Sequence, residues 1–221
     1  MYHDVATVST DFLTIGKADF ARQMAWLADN YQPLTLQMAI DAWQKNRSLS
    51  DGVLITFDDG YVGIYDFVWP ILNKYNVPAV FFLTTDYLGQ DNNWNTRADT
   101  IKHHLSASEV QEMAGDSKIS FGAHGLTHHR LTKFTKERIK KELQGSKTFI
   151  EMLTDRPVLA CAYPYGSFNE QVLAIARELF HLGFAANHDG EDNWRINPHA
   201  LRRIYIHPRS TLVELKTLLK V

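Results

Sequence analysis

Apolar positions recur at two spacings along this chain, and the two alternate. Phe20, Met24, Leu27 and Tyr31 repeat at helical spacing, with Pro33 as a stop. Leu36, Ile40 and Trp43 predict a second helix, with Thr35 as its N-cap. Residues 53–57 form a short apolar run of the kind a buried strand shows. Ile64, Val68 and Leu72 return to helical spacing, and residues 78–84 predict the next strand around Val80-Phe81-Phe82-Leu83. Residues 86–100 read as a polar loop carrying Trp94. Ser106 and Glu109 make a capping-box pattern for a short helix, and residues 118–122 a strand running into His124. Phe134 and Ile139 flank Thr135 like a hydrophobic staple, opening a helix to about residue 153. A strand at 158–163 and a helix at 169–179 follow. Short strands are predicted at 183–186 and 203–207, and Thr211 with Glu214 caps a last helix.

Repeated strand–helix units predict one α/β domain over residues 1–221, built on a mainly parallel sheet, open or closed into a barrel. The residues with chemistry to offer follow the predicted strands: Asp58 and Asp59, then His124, then Tyr165, then His207. Parallel α/β folds bind ligands at the carboxyl ends of their strands. Four separate segments therefore converge on one face.

Composition narrows the function. Apolar residues make up 45% of the 221, enough for a sizeable core. Lysine and arginine number 23 against 25 acidic residues, a net charge of −2, with no basic stripe, which argues against a nucleic-acid partner. Cys161 is the one cysteine, so neither a disulfide framework nor a cysteine zinc site can form within the chain; in its apolar stretch it reads as a small core side chain. No run approaches the length of a membrane span, and the start lacks the pattern of a signal peptide, so the chain as written reads as cytoplasmic. The sequence leaves the oligomeric state open.

Thr56-Phe57-Asp58-Asp59-Gly60 closes the apolar run at 53–57. Adjacent residues on a regular strand point to opposite faces, but at a strand end, with Gly60 helping the turn, both carboxylates can face one cavity. One can bind a metal while the other accepts a proton; Asp-Gly is also an ordinary turn dipeptide. His124 and His128 are four apart and share a face if the segment is helical. Two imidazoles and one carboxylate leave coordination positions open for water and substrate, as catalytic sites do. Zinc is the default ion for that set, and cobalt, nickel or iron also fit. His129 falls off that face. A non-haem iron oxygenase shares this ligand set but uses a His-x-Asp pair on an all-β barrel, and no glycine-rich loop supports phosphate transfer.

These motifs resemble the polysaccharide deacetylases, carbohydrate esterase family 4. The likeness covers 55–61, Pro70-Ile71-Leu72, 78–83, 123–131 and Tyr163-Pro164-Tyr165-Gly166, so it spans nearly the whole chain. It implies a distorted (β/α) barrel and metal-dependent removal of an N-acetyl, or O-acetyl, group from a saccharide. It implies Asp59, His124 and His128 as metal ligands and Asp58 as the base that activates water. Tyr165 would lend its backbone N–H to an oxyanion hole. A histidine on a late strand would be the general acid; His207 best fits that place, with His188 and His3 in competition. Trp94 and Trp194 sit in polar loops, where aromatic faces stack on sugar rings or anchor the loop; Trp94 and Tyr165 are the expected substrate contacts. The family commonly works on glycans of the cell envelope, and a segment upstream of Met1 would reconcile that with the missing export signal.

Three departures stand out. Gly125 replaces a frequent Ser or Thr. Ala162 stands where many members carry an arginine that orients the base; Arg203 is the candidate substitute, with a surface ion pair as its ordinary reading. Asp192-Asn193-Trp194 is only a loose echo of a late Asp-Trp motif. These departures leave room for a hydrolase of a non-sugar amide or a non-catalytic saccharide-binding relative. His103, His104, His181 and His199 read as solvent-facing or capping residues.

Overall fold

A computed structural model describes residues 1–8, 11–49, 51–94, 101–186, 190, 196–207 and 209–219. In chain order the elements are β1 (Asp4–Ala6), β2 (Thr14–Gly16), α1 (Lys17–Asn30), β3 (Gln32–Pro33), α2 (Leu36–Gln44), β4 (Gly52–Val53) and β5 (Ile55–Phe57). A wide π-type turn, Ile64–Val68, leads into α3 (Trp69–Tyr75). Then come β6 (Ala79–Leu83), α4 (Ala107–Ala114), β7 (Ile119–Ala123), α5 (Lys136–Thr154), β8 (Ala160–Ala162), α6 (Glu170–Leu179), β9 (Leu182–Phe184) and α7 (Leu212–Leu219).

The helix starts lie where the caps are. Thr35 Oγ1 accepts the Met38 N–H at 3.1 Å, Asn169 Oδ1 accepts the Val172 N–H at 3.0 Å, and Ser106 with Glu109 forms the full reciprocal box. Each cap satisfies an amide that the first helical turn leaves without a partner.

Strands β5 to β9 form a parallel sheet in sequence order, each crossover carrying a helix, α3 to α6 in turn. The alternation of β6 explains the layers. Phe81 and Leu83 pack with Ile139 and Leu143 of α5 in the main core, while Val80 and Phe82 join Ala160, Ala162, Leu182 and Phe184 in a second cluster on the opposite face. Full burial of a ring such as Phe81 stabilises the fold by roughly 1.5–3 kcal/mol over leaving it in water.

The two ends of the chain close the sheet. Tyr2 pairs in parallel with Phe57, its N–H reaching the Thr56 carbonyl at 2.9 Å and its carbonyl accepting from Asp58 N–H at 3.1 Å. On the far edge Leu201 pairs with Phe184. Between them the Met1 nitrogen donates to the Ile204 carbonyl at 2.7 Å, and the Ile206 N–H donates to the Met1 carbonyl at 3.0 Å. Two irregular staves, residues 1–3 and 201–206, thus curl the sheet into a distorted barrel.

Two predicted strands need correction. The run 53–57 breaks at Leu54, with β4 pairing to β3 and β5 to β6. Residues 203–207 are extended but form no regular strand; Arg203 and Ile206 point inward and His207 is exposed. Among the described residues, no helix is long and apolar enough to cross a membrane.

Candidate active site

Backbone geometry at the end of β5 brings both carboxylates to one cavity. Asp59 has φ +70° and Gly60 φ +87°, so the chain leaves the extended region immediately after Asp58 and the alternation of the strand is lost. Gly60 is required there twice over: its left-handed φ suits glycine, and a Cβ would sit 2.8 Å from Leu83 Cδ2. Asp58 and Asp59 are both buried.

His124 leaves β7, and His128 follows on a loop rather than a helix. Gly125 has φ +79° and His128 φ +58°, and these two left-handed residues, instead of one helical face, turn both rings inward. The loop is held from below by Glu142 of α5, a fully buried carboxylate that the sequence reading did not single out. Its Oε2 accepts the N–H groups of Leu126 (2.9 Å) and Thr127 (3.0 Å), and its Oε1 accepts Thr127 Oγ1 (3.0 Å) and Arg138 Nη2 (2.7 Å). A Cβ on Gly125 would approach Glu142 Oε2 to 3.4 Å. That is ordinary contact, so the left-handed φ of Gly125, rather than want of space, favours glycine at this position. The only hint in the sequence is an acidic residue on the apolar face of α5, four after Arg138.

His124 Nδ1 lies 2.9 Å from the Ala162 carbonyl, an acceptor only, so that nitrogen carries the proton and Nε2 keeps its lone pair. Asp59 Oδ1 lies 3.4 Å from His124 Nε2 and 3.1 Å from His128 Nε2. One ligand atom from each of the three residues lies within 4.8 Å of the others. Yet Asp59 Oδ1 is a buried oxygen that makes no hydrogen bond of good geometry. A buried anionic oxygen facing two ring nitrogens without a proton well placed between them fits a divalent cation and is costly otherwise.

Asp58 is clamped. Arg203 Nη1 and Nη2 reach its two carboxylate oxygens at 2.6 Å each, Nε donates to the Ala185 carbonyl at 2.9 Å, and Nη1 also lies 3.3 Å from Thr56 Oγ1. The guanidinium lies beside the packed pair of Phe82 and Phe184, 5.6 and 5.9 Å from their ring centroids. Burial works to raise the Asp58 carboxyl, but the Arg203 charge and hydrogen bonds, together with the His124 and His3 imidazoles, outweigh it and hold the group below the ordinary carboxylate value. Ala162 belongs to the same apolar cluster as Phe82 and Phe184, so the small side chain of β8 is matched by an arginine entering from the 201–206 stave.

A cavity of about 180 Å³ is lined by Asp58, Asp59, His124 and His128, together with His3, Trp94 and Tyr165. His3 Nδ1 is buried without a partner. Burial lowers the His3 imidazole below its ordinary value, and the Asp59 and Asp58 carboxylates oppose that pull. His207 does not line the cavity: the inward turn of Ile206 puts it outside, where Nδ1 accepts the Arg209 N–H at 3.2 Å. His188 and Trp194, with the Asp192-Asn193-Trp194 stretch, lie outside the described residues. Trp94 stacks on the His128 ring at 4.1 Å and meets Tyr87 edge-on at 4.8 Å. Tyr165 has φ +59° and keeps its ring half-exposed, 4.7 Å from His128. Asp59, His128 and Tyr165 are three of the six non-glycine residues with positive φ among those described, so local strain gathers at this cavity.

Two peripheral histidines are not solvent-facing. His104 is fully buried against Tyr61, and burial lowers its imidazole to about 4. His199 is buried too, with Nε2 2.9 Å from the Phe180 carbonyl. Cys161 is buried, and burial pushes its thiol up to about 12, as suits a core side chain.

Comparison with known proteins agrees with this geometry. Residues 45–181 match the family described as polysaccharide deacetylase. YxkH of Bacillus subtilis (strain 168), which bears that family's name, is 30% identical over 210 residues, covering 94% of this chain and 70% of YxkH. A poly-beta-1,6-N-acetyl-D-glucosamine N-deacetylase of Staphylococcus epidermidis is 29% identical over 192 residues, covering 80% of this chain; the aligned part is 64% of that protein, less than two thirds. Among solved structures, the Streptococcus pyogenes deacetylase PplD in complex with acetate superposes with a TM-score of 0.84 at 23% identity, covering 100% of this chain and 96% of that one. IcaB from Ammonifex degensii gives 0.81 at 20% identity, covering 98% and 94%. Those two structural likenesses speak to the fold, and the sequence matches go further: this chain belongs to the polysaccharide deacetylase family.

Proposed function

We propose that the protein is a metal-dependent hydrolase that removes the N-acetyl group from an N-acetylated saccharide. The observation that carries this reading is Asp59 Oδ1, buried and unpartnered between His124 Nε2 and His128 Nε2, beside a second carboxylate locked in place by Arg203. The names of the relatives, which include deacetylases of poly-beta-1,6-N-acetyl-D-glucosamine, support the substrate class.

Asp59, His124 and His128 would hold the ion, zinc by default, with cobalt, nickel or iron also suited to the donor set. Bound there, a divalent cation supplies Lewis acidity toward an amide carbonyl and lowers the pKa of a neighbouring water. Asp58 takes the proton of the attacking water. Pairing with Arg203 engages one lone pair on each of its oxygens and leaves others to accept from the water. The same pairing keeps Asp58 ionised and fixes its rotamer, so Arg203 acts as a positioning residue. His3, on the cavity wall, donates the proton to the departing amine. His207 is displaced from that role by its outward direction. The Tyr165 N–H is the expected donor to the developing oxyanion. Each proton-transfer group would contribute about 10²–10⁴-fold, and the oxyanion donor about 10²–10³-fold.

Metal-loaded protein should release acetate from N-acetylglucosamine oligomers, and chelation should stop it. Retention of full activity after complete chelation, or no acetate from N- or O-acetylated saccharides with the metal bound, would sink this reading.

A further inference from the structure

The catalytic cavity shares Trp94, His128 and Tyr165 with a second hollow of about 400 Å³. The two differ in charge. The first holds two aspartates. The second contains no carboxylate in its lining, but it has Arg130, Lys133 and His129. That excess of cations is local, because the whole chain carries a net charge of −2.

Pairing also sets Arg130 and Lys133 apart. Nearby Arg138 is bound to Glu142, Lys147 to Glu151, and Lys102 to both Asp4 and Asp11. Among the described residues, neither Arg130 nor Lys133 has a carboxylate partner. Arg130 is nevertheless held in place, its guanidinium 4.4 Å from the centroid of the Tyr165 ring. A stacked guanidinium loses less freedom on binding than a free one, and its planar fork suits the paired oxygens of a carboxylate or phosphate. Lys133 ends the short turn Leu131–Lys133, and Phe134 offers an apolar wall beside it. Tyr165 therefore borders the reacting acetamide on one side and carries a fixed cation on the other.

We propose that this shelf binds an anionic group, a carboxylate or a phosphate, on the part of the substrate next to the sugar being deacetylated. The preferred substrate is then an acidic glycan rather than a neutral homopolymer. The proposal rests on the deacetylase reading above. A neutral glycan would leave both cations in water, where they contribute little to selection.

Three matched N-acetylglucosamine oligomers test it: one neutral, one with carboxylates on alternate units, one with phosphates. At low salt, kcat/KM on at least one charged oligomer should exceed that on the neutral one by roughly tenfold, and the gap should narrow as ionic strength rises. The double variant Arg130→Gln/Lys133→Gln should bring the charged-to-neutral ratio close to one. Both side chains are exposed, so folding should be little affected. The carboxylate and phosphate arms show which anion fits. Equal kcat/KM on all three oligomers, or a ratio unchanged in the double variant, would overturn the proposal while leaving the deacetylase reading intact. Binding gives an independent readout. Calorimetric titration of the charged oligomers into Asp58→Asn should show roughly tenfold weaker binding once Arg130 and Lys133 are also replaced. No difference there would overturn the proposal even if none of the oligomers were hydrolysed.

Discussion

The rim of this barrel has two halves that were built in different ways. One half takes Asp58, Asp59, His124 and His128 from short contiguous motifs that directly follow the regular strands β5 and β7. The other half is the seam where residues 1–3 meet residues 201–206, and it supplies His3 and Arg203 from irregular backbone. Arg203 and Asp58 are 145 positions apart in sequence and make two contacts of 2.6 Å. Motif-bearing strand ends carry the proposed metal ligands and base. The seam carries the groups that set the charge, direction and protonation around them. A site can thus be half local and half a product of closure.

The largest expected effect tests the strand-end half. Asp58→Asn should lower kcat by about 10²–10⁴-fold while the protein still binds its metal, because the proposed ligands are Asp59, His124 and His128. Acetate release and metal content, measured on the same sample, check both parts; loss of the metal along with activity would move Asp58 into the ligand set.

Arg203→Met tests the seam. It leaves Asp58 buried without its partner, and such a break costs about 3–5 kcal/mol. The pH dependence follows from the same pair. The folded Asp58 carboxyl lies below its unfolded value, so its contribution to stability is present above that unfolded value, near 3.8, and is lost as pH falls through the lower folded value. Denaturation midpoints of metal-free protein should therefore fall in that acid window for wild type, and this part of the fall should vanish in Asp58→Asn. If Arg203→Met is as stable as wild type, the clamp is a surface-type pair and the comparison weakens.

Glu142→Gln is a smaller perturbation on the strand-end side. It keeps the shape but weakens acceptance from Leu126, Thr127 and Arg138, with an expected cost of about 1–3 kcal/mol. Metal affinity should fall with it, since the loop carrying His128 depends on those bonds. A thermal melt and a metal titration check this, and an unchanged affinity would make Glu142 a purely structural support.

The alternation of helical and extended spacing made the order of elements legible, and the caps at Thr35 and Ser106 and the staple around Thr135 marked helix starts closely. The acidic pair and the two histidines were legible because each motif lies within five residues of one strand end. The seam was harder for a physical reason. Residues 1–3 and 201–206 are extended pieces, too short or irregular to show a period, and their partners lie at the opposite end of the chain. His207 looked suitable from its place in Ile204-Tyr205-Ile206-His207, but the inward turn of Arg203 and Ile206 puts it outside. Glu142 was hidden because a buried carboxylate on a helix resembles an ordinary surface glutamate until its acceptors are seen. Arg203 as a partner for Asp58 could be guessed from Ala162, since a small residue where an arginine is expected leaves a charge to be met from elsewhere.

The most direct test of the seam's part in the chemistry is kcat for His3→Gln beside His207→Gln, both metal-loaded and at saturating N-acetylated oligomer. The account predicts a fall of about 10²-fold or more for His3→Gln and less than about twofold for His207→Gln. A large loss in His207→Gln with His3→Gln near wild type would contradict it.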